Sequence, residues 1–138
     1  MPADAATALN EAPEWELFSL NPCIEEDPDD NSRFHGWKIL GSTQITDVKT
    51  REKLMQSLEE SVAANPGMAA ACFAPRHGIR VNYKGQQHDF VICFECYHGT
   101  WFTDDRQREG FNPTDAPADA FNGVLKDAKV PLPEQPAS

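Results

Sequence analysis

Residues 71–99 read ACFAPRHGIRVNYKGQQHDFVICFECYHG, and this stretch decides the fold. Residues 78–83 alternate apolar and polar side chains, as a half-buried strand does. Residues 84–87 contain Gly85, which favours a turn. Residues 88–97 then form a long segment that is apolar at consecutive positions, which is typical of a central strand covered on both faces. The stretch therefore predicts a central β-hairpin.

Three further strands are predicted before this hairpin. Residues 15–20 alternate around Trp15 and predict a short strand, possible at a sheet edge. Residues 34–45 predict a second strand with a bend at Gly41, because glycine weakens a regular strand. Residues 68–74 are small and apolar and predict a buried strand that enters the hairpin.

Two helices are predicted. Residues 47–64 place Val48, Leu54, Met55, Leu58 and Val62 on one face, which is the pattern of a helix packed on a core. Asp47 can accept a hydrogen bond from a first-turn amide and so cap this helix. Residues 115–128 predict a shorter helix with Phe121 and Leu125 on its apolar side.

The predicted order is ββαβββα, which indicates an α+β fold with a mostly antiparallel sheet of about five strands and two helices. Residues 1–13 lack apolar periodicity and are expected to form a flexible tail. Residues 14–130 are expected to form a single domain, and residues 131–138 a proline-rich tail.

The chain carries 22 acidic and 12 basic side chains, for a formal net charge of −10. Such a charge repels phosphate backbones and anionic membranes, so we expect neither nucleic acid nor membrane as a partner. A basic protein partner that contacts the acidic loop 25–32 or the loop 103–110 is one interpretation, and solubility alone is another. The N-terminus lacks a secretory pattern, so the expected location is cytoplasmic, where free thiols are expected.

The chemistry-bearing residues concentrate in the same stretch. Cys72, His77, Cys93 and Cys96 form a C-x4-H and a C-x2-C pair that a hairpin can bring together. Four such ligands satisfy tetrahedral zinc. The sequence therefore predicts a possible zinc site.

Two other interpretations of the cysteines stay open. Residues three apart point to opposite faces of a regular strand, so the C-x2-C pair needs a bend near Phe94 to act together. With such a bend, the pair is also a candidate for thiol redox chemistry, although a strand lacks the helix dipole that usually lowers a thiol pKa. Alternatively, the cysteines are small buried apolar groups.

Three neighbouring polar residues support the site. If the hairpin turn is centred on residues 85–86, Arg76 or His77 lies across the ladder from Glu95, where opposite charges interact. A carboxylate in that position can orient an imidazole as a ligand or a base. His98 follows closely and is a further supporting residue.

The phrases ACFAPRHGIR and DFVICFEC resemble a family of bacterial proteins of unassigned function that carry CF-x-PRHGI followed by ICFEC. The likeness covers about residues 14–132. It implies no activity. It implies that the cysteines, Arg76, His77 and Glu95 act as one group.

Together these patterns favour a non-enzymatic acidic domain with a Cys/His site that binds zinc. An acidic inhibitory protein for a basic partner and a thiol redox protein are the alternatives. The sequence contains no phosphate loop and no cofactor fingerprint.

Overall fold

The computed structural model describes residues 1–70, 73–104 and 106–133. Three helices and six strands are present within these residues, which confirms the α+β class. In chain order the elements are α1 (Ala3–Glu11), β1 (Trp15–Asn21), β2 (Lys38–Ile45), α2 (Val48–Ala64), β3 (His77–Tyr83), β4 (Gln86–Cys93), β5 (His98–Thr103), β6 (Arg106–Gln107) and α3 (Ala118–Asp127).

The strands form one sheet in the order β2-β1-β3-β4-β5-β6, and every neighbouring pair is antiparallel. The predicted hairpin is confirmed as β3 and β4. Its connection is a two-residue turn in which Lys84 and Gly85 have φ of 51° and 77°. Positive φ at both positions is characteristic of a type I′ turn, whose twist matches the strands that it joins. This turn sets a register that pairs Arg80 with Asp89 and His77 with Ile92.

The sheet is covered on both faces. The helices cover one face, where a cluster forms around Trp15, Leu17, Ile79, Phe90, Ile92, Phe121 and Leu125. On the opposite face, Phe34 and Trp37 from the β1–β2 connection pack on Phe18, Leu20 and Val91. Residues 88–93 of β4 are all buried, as the apolar run predicted. This double cover makes β4 the central strand of the core.

Two expectations about segments outside the hairpin are wrong. Residues 3–11 form α1, whose Ala5, Ala8 and Leu9 are buried, in place of part of the expected tail. The indole of Trp15 donates a hydrogen bond to the Leu9 carbonyl, so α1 is tied to the sheet. In the predicted strand 68–74, the described residues 68–70 and 73–74 are not in a strand, and residues 71–72 lie outside the described part.

The predicted strands before α2 differ in position from the observed ones. β1 pairs with both β2 and β3, so it is not an edge strand. The strand predicted over 34–45 begins at Lys38, because residues 34–37 form a tight turn closed by a Phe34–Trp37 bridge.

The helix predicted over 47–64 is confirmed, and Asp47 caps it by accepting from the Thr50 amide. However, Val48 is 54% exposed and does not belong to the core face.

A close approach at Gly99 gives a test of this packing. A Cβ atom at Gly99 would lie 2.4 Å from the ring of Phe111. Gly99→Ala should lower the free energy of unfolding by about 1–3 kcal/mol, because overpacking forces the core to shift. Chemical denaturation measures this change. Gly123→Ala is the control, because nothing lies within 4 Å of its Cβ position and alanine favours a helix by about 1 kcal/mol. Equal effects of the two substitutions would contradict the packing.

Candidate functional site

The C-x2-C pair lies where β4 ends. Strand β4 stops at Cys93, and residues 94–97 form a turn in which Tyr97 has a φ of 57°. This turn is the bend near Phe94 that the sequence required. It brings the two sulfurs together, and Cys93 and Cys96 are joined by a disulfide. The expectation of free thiols is therefore wrong for this pair.

One backbone amide donates a hydrogen bond to each sulfur of the disulfide. The Cys96 amide donates to Cys93 Sγ at 3.1 Å, and the Ala74 amide donates to Cys96 Sγ at 3.4 Å. The Ala70 amide also donates to the Cys96 carbonyl at 2.7 Å. Ala70 and Ala74, in the segment before β3, thus stabilise the turn at residues 94–97 through these hydrogen bonds. Donors that point at sulfur favour the thiolate form when the bond opens.

The predicted zinc ligands are only partly brought together. The disulfide form lacks the two thiolates that Cys93 and Cys96 would supply to a metal. His77 points to the helix-covered face, where its Nε2 lies 2.8 Å from Asn122 Oδ1. Cys72 lies outside the described residues, and His98 is bonded through Nδ1 to Asn112 Oδ1 at 3.2 Å. Within the described part of the chain, no group of three His, Cys, Asp or Glu residues is placed to hold a metal ion.

A small cavity with a mixed polar and apolar lining lies on the inner side of the turn. It has a volume of about 50 Å³, and its lining includes Arg76, His77, Cys93, Glu95 and Asn122. Arg76 Nε and Glu95 Oε1 lie 3.5 Å apart. They do not pair across the ladder as predicted, because the hairpin turn lies one residue earlier than expected, Arg76 precedes β3, and Glu95 lies in the turn after β4. Buried Arg76 Nε and Nη1 and His77 Nδ1 have no hydrogen-bond partner among the described residues. Buried polar atoms normally have partners, so these nitrogens can hydrogen-bond to a water molecule or another small polar molecule in the cavity.

An open groove lies on the outer side of the same turn. It has a volume of about 340 Å³. It is lined by Met68, Ala69, Ala70, Glu95, Cys96, Tyr97 and Asp115. Met68 is 61% exposed at its rim. Cys96 thus lies beside the larger opening and is 7% exposed, against 2% for Cys93.

A second polar group, not predicted from the sequence, lies on the other face of the sheet. Asp89 is buried and accepts two hydrogen bonds from Arg80, at 2.9 and 3.0 Å. His35 Nε2 lies 2.7 Å from the same carboxylate, and its ring stacks on Phe102 with centroids 3.9 Å apart. Burial alone would raise the pKa of Asp89, but the hydrogen bonds from His35 and Arg80 outweigh it and lower that pKa.

His35 reaches Asp89 from a strained backbone. It has a φ of 49° and is followed by Gly36 at 91°, in the turn between Phe34 and Trp37. Such a φ is uncommon for a residue other than glycine. The bond to Asp89 offsets this cost and fastens the 22–37 connection to the sheet. A hairpin turn at Lys84 and Gly85 pairs Arg80 with Asp89, so the sequence could have indicated this pair. No local pattern indicates His35, which lies 54 residues from Asp89.

The two loops predicted to contact a basic partner meet beside this group. Glu26 and Asp30 of the acidic loop and Gln107 of the 103–110 loop border one open groove of about 550 Å³. Arg33 also lines it, and its Nε bonds Asp30 Oδ2 at 3.2 Å. The groove is therefore of mixed charge.

The chain matches no family model, no curated protein and no solved structure. The resemblance to bacterial proteins with an ICFEC phrase stays a prediction. Across the described residues, no helix is both long enough and apolar enough to cross a bilayer.

The buried His77 gives a pH dependence. Burial lowers the pKa of His77 from 6.5 to about 4, and the Arg76 charge adds to this effect. The unfolded chain then binds more protons than the folded chain between pH 4 and 6.5, so stability falls as pH falls through that window. We expect His77 to account for a loss of up to about 3 kcal/mol by pH 4.

Denaturation at pH 7 and pH 4.5 measures this loss. His77→Gln should flatten the pH dependence, even if it lowers stability at pH 7. A variant with the same pH slope as the parent would contradict the assignment. Arg106→Gln, at an exposed position, is the control.

The hydrogen-bonded group of His35, Arg80 and Asp89 gives a separate test. Asp89→Ala should lower the free energy of unfolding by about 1.5–3 kcal/mol, because it removes the buried carboxylate to which the partly exposed Arg80 and His35 side chains hydrogen-bond. Glu52→Ala, at an exposed carboxylate of α2, should change it by less than about 0.5 kcal/mol. If Asp89→Ala changed the free energy of unfolding by no more than the control does, the hydrogen bonds to Asp89 would not hold the 22–37 connection on the sheet.

Proposed function

We propose that the chain is a thiol–disulfide redox protein in which Cys93 and Cys96 form the reversible bond. The observation that carries this proposal is the C-x2-C disulfide in a turn, with Cys96 on an open groove. A thiol reagent can approach Cys96 from the groove. Cys93 is enclosed on the other side, so it serves as the leaving sulfur.

The reduction follows from this arrangement. A thiolate of a reducing dithiol attacks Cys96 Sγ, the bond between the two protein sulfurs breaks, and Cys93 leaves as a thiolate. The second thiol of the reductant, once deprotonated, attacks the mixed disulfide, and Cys96 leaves as a thiolate. The reductant is thereby oxidised by two electrons. The amide of Cys96, which donates to Cys93 Sγ, stabilises the first leaving group.

A purely structural disulfide is less well supported. The bond joins residues only three apart. In the chain-entropy relation, so short a loop contributes only about 2 kcal/mol of stability, against about 5 kcal/mol for a loop of 100 residues. The core is already built from apolar residues on both faces of β4. If the location is cytoplasmic, as we propose, a disulfide is usually redox-sensing or catalytic.

Zinc binding in the reduced form is a second candidate. The turn supplies the bend that chelation by Cys93 and Cys96 requires. Cys72 and His77 are the remaining proposed ligands, and His77 would have to exchange its Asn122 contact for the metal. Zinc analysis of the untagged, reduced protein tests this candidate, and less than about 0.2 zinc per chain rejects it.

Equilibrium titration in dithiothreitol buffers tests the redox proposal. We expect one two-electron transition with a midpoint above about −300 mV, since structural disulfides lie below that value. Mass spectrometry after thiol labelling should assign it to Cys93 and Cys96. Cys23→Ser, at the exposed free cysteine, should leave the midpoint unchanged.

Two results would contradict redox function. One is a bond that resists reduction until the protein unfolds. The other is a Cys96→Ser variant that still shows the two-electron transition.

A further inference from the structure

The two sides of the disulfide differ in size. Cys93 borders the cavity of about 50 Å³, whereas Cys96 borders the groove of about 340 Å³. A water molecule needs about 10–15 Å³ of such volume, so the cavity admits about three to five molecules of that size. Bulky thiols and peptides fit only the groove. The inner cavity therefore selects a very small reagent.

The hydrogen-bonding groups of the cavity are complementary. Arg76 presents two N–H donors that make no hydrogen bond among the described residues, Nη1 and Nε, of which Nε lies 3.5 Å from Glu95 Oε1. His77 Nε2 lies 2.8 Å from Asn122 Oδ1, so Nε2 carries the proton and donates to the amide oxygen. His77 Nδ1 is then left with a lone pair. The cavity offers both donors and an acceptor.

The charge of the cavity is balanced. The Arg76 guanidinium is offset by the Glu95 carboxylate at 3.5 Å. The buried His77 ring hydrogen-bonds to the neutral Asn122 amide, and this environment disfavours the charged imidazolium. A free anion gains little in such a site, because Glu95 already compensates Arg76. The cavity suits a small neutral molecule that both donates and accepts hydrogen bonds.

We propose that this molecule is hydrogen peroxide and that Cys93 is the sulfur that it oxidises. The inference rests on the proposed redox function and assigns the oxidant of the same site. Hydrogen peroxide has two hydroxyl groups and no charge, so it can accept from Arg76 and donate to His77 Nδ1. The Arg76 donors stabilise the negative charge that develops on the departing oxygen.

The reaction has two balanced steps. The Cys93 thiolate attacks one peroxide oxygen, the O–O bond breaks, and the departing hydroxide takes a proton to form water. This leaves sulfenic acid on Cys93. Cys96, which lies in the same turn, then attacks the sulfenic sulfur as a thiolate, and the hydroxyl group leaves as a second water after protonation. Two thiols and one peroxide give the disulfide and two water molecules.

The first experiment uses the reduced full chain and an internal reference. Cys23 is an exposed free thiol in the same molecule. After a short exposure to hydrogen peroxide, thiol labelling and peptide mass spectrometry report both positions. We expect Cys93 to react at least about tenfold faster than Cys23, because its thiolate has N–H donors nearby. In Cys96→Ser, dimedone should trap sulfenic acid at Cys93.

The second experiment tests the cavity itself. Arg76→Met should slow oxidation by hydrogen peroxide about tenfold or more. It should change oxidation by glutathione disulfide, which approaches from the groove, by less than about threefold. Arg76→Lys keeps the positive charge but removes the Nε and Nη1 donors, so its oxidation by hydrogen peroxide should also be slow. Arg106→Gln is the control on an exposed arginine. tert-Butyl hydroperoxide, which is too large for the cavity, should react no faster at Cys93 than at Cys23.

The outcomes separate the inference from the redox function. A reversible bond between Cys93 and Cys96 that peroxide forms no faster than it oxidises Cys23 would overturn the inference and leave the redox function standing. If Arg76→Met slowed oxidation by hydrogen peroxide and by glutathione disulfide equally, the inference would also be overturned, because Arg76 would then affect the reactivity of the thiols toward any oxidant. A bond that cannot be reduced in the folded chain would overturn both.

Discussion

The register of the central hairpin is the constraint on which the rest of the structure depends. The two-residue turn at Lys84 and Gly85 pairs Arg80 with Asp89 and His77 with Ile92. Because side chains alternate along a strand, a slip of one residue would exchange the two faces of β4. The apolar cover on both faces makes such a slip costly, so the hairpin has one stable register. The positions of the polar groups follow from it.

Those polar groups form two separate sites on opposite faces. The Arg80–Asp89 pair faces the β1–β2 connection, where His35 completes it. His77 faces the helices and bonds to Asn122 of α3. The first group fastens a loop to the sheet through a buried carboxylate. The second leaves unpaired nitrogens beside a disulfide, and this difference is why the second site supports a chemical proposal.

The end of β4 explains why the cysteines can act together. Alternation along a regular strand would place Cys93 and Cys96 on opposite faces. The strand stops at Cys93 and the chain turns over residues 94–97, so the rule no longer applies. The turn also gives the two cysteines different surroundings, with a small cavity of mixed lining beside Cys93 and an open groove beside Cys96. This asymmetry distinguishes the reagents that reach each side.

The sequence by itself determined the α+β class, the central hairpin, and α2 with its Asp47 cap. Each of these depends on local patterns, namely hydrophobic period, turn residues and strand pairing. Only the tertiary structure decided that residues 3–11 form a helix, that His35 joins Asp89, and that Cys93 bonds to Cys96. An alanine-rich segment becomes helical because the sheet offers it a surface, and His35 lies 54 residues from its partner. Contacts of that separation depend on how the whole chain packs, and no local pattern encodes them.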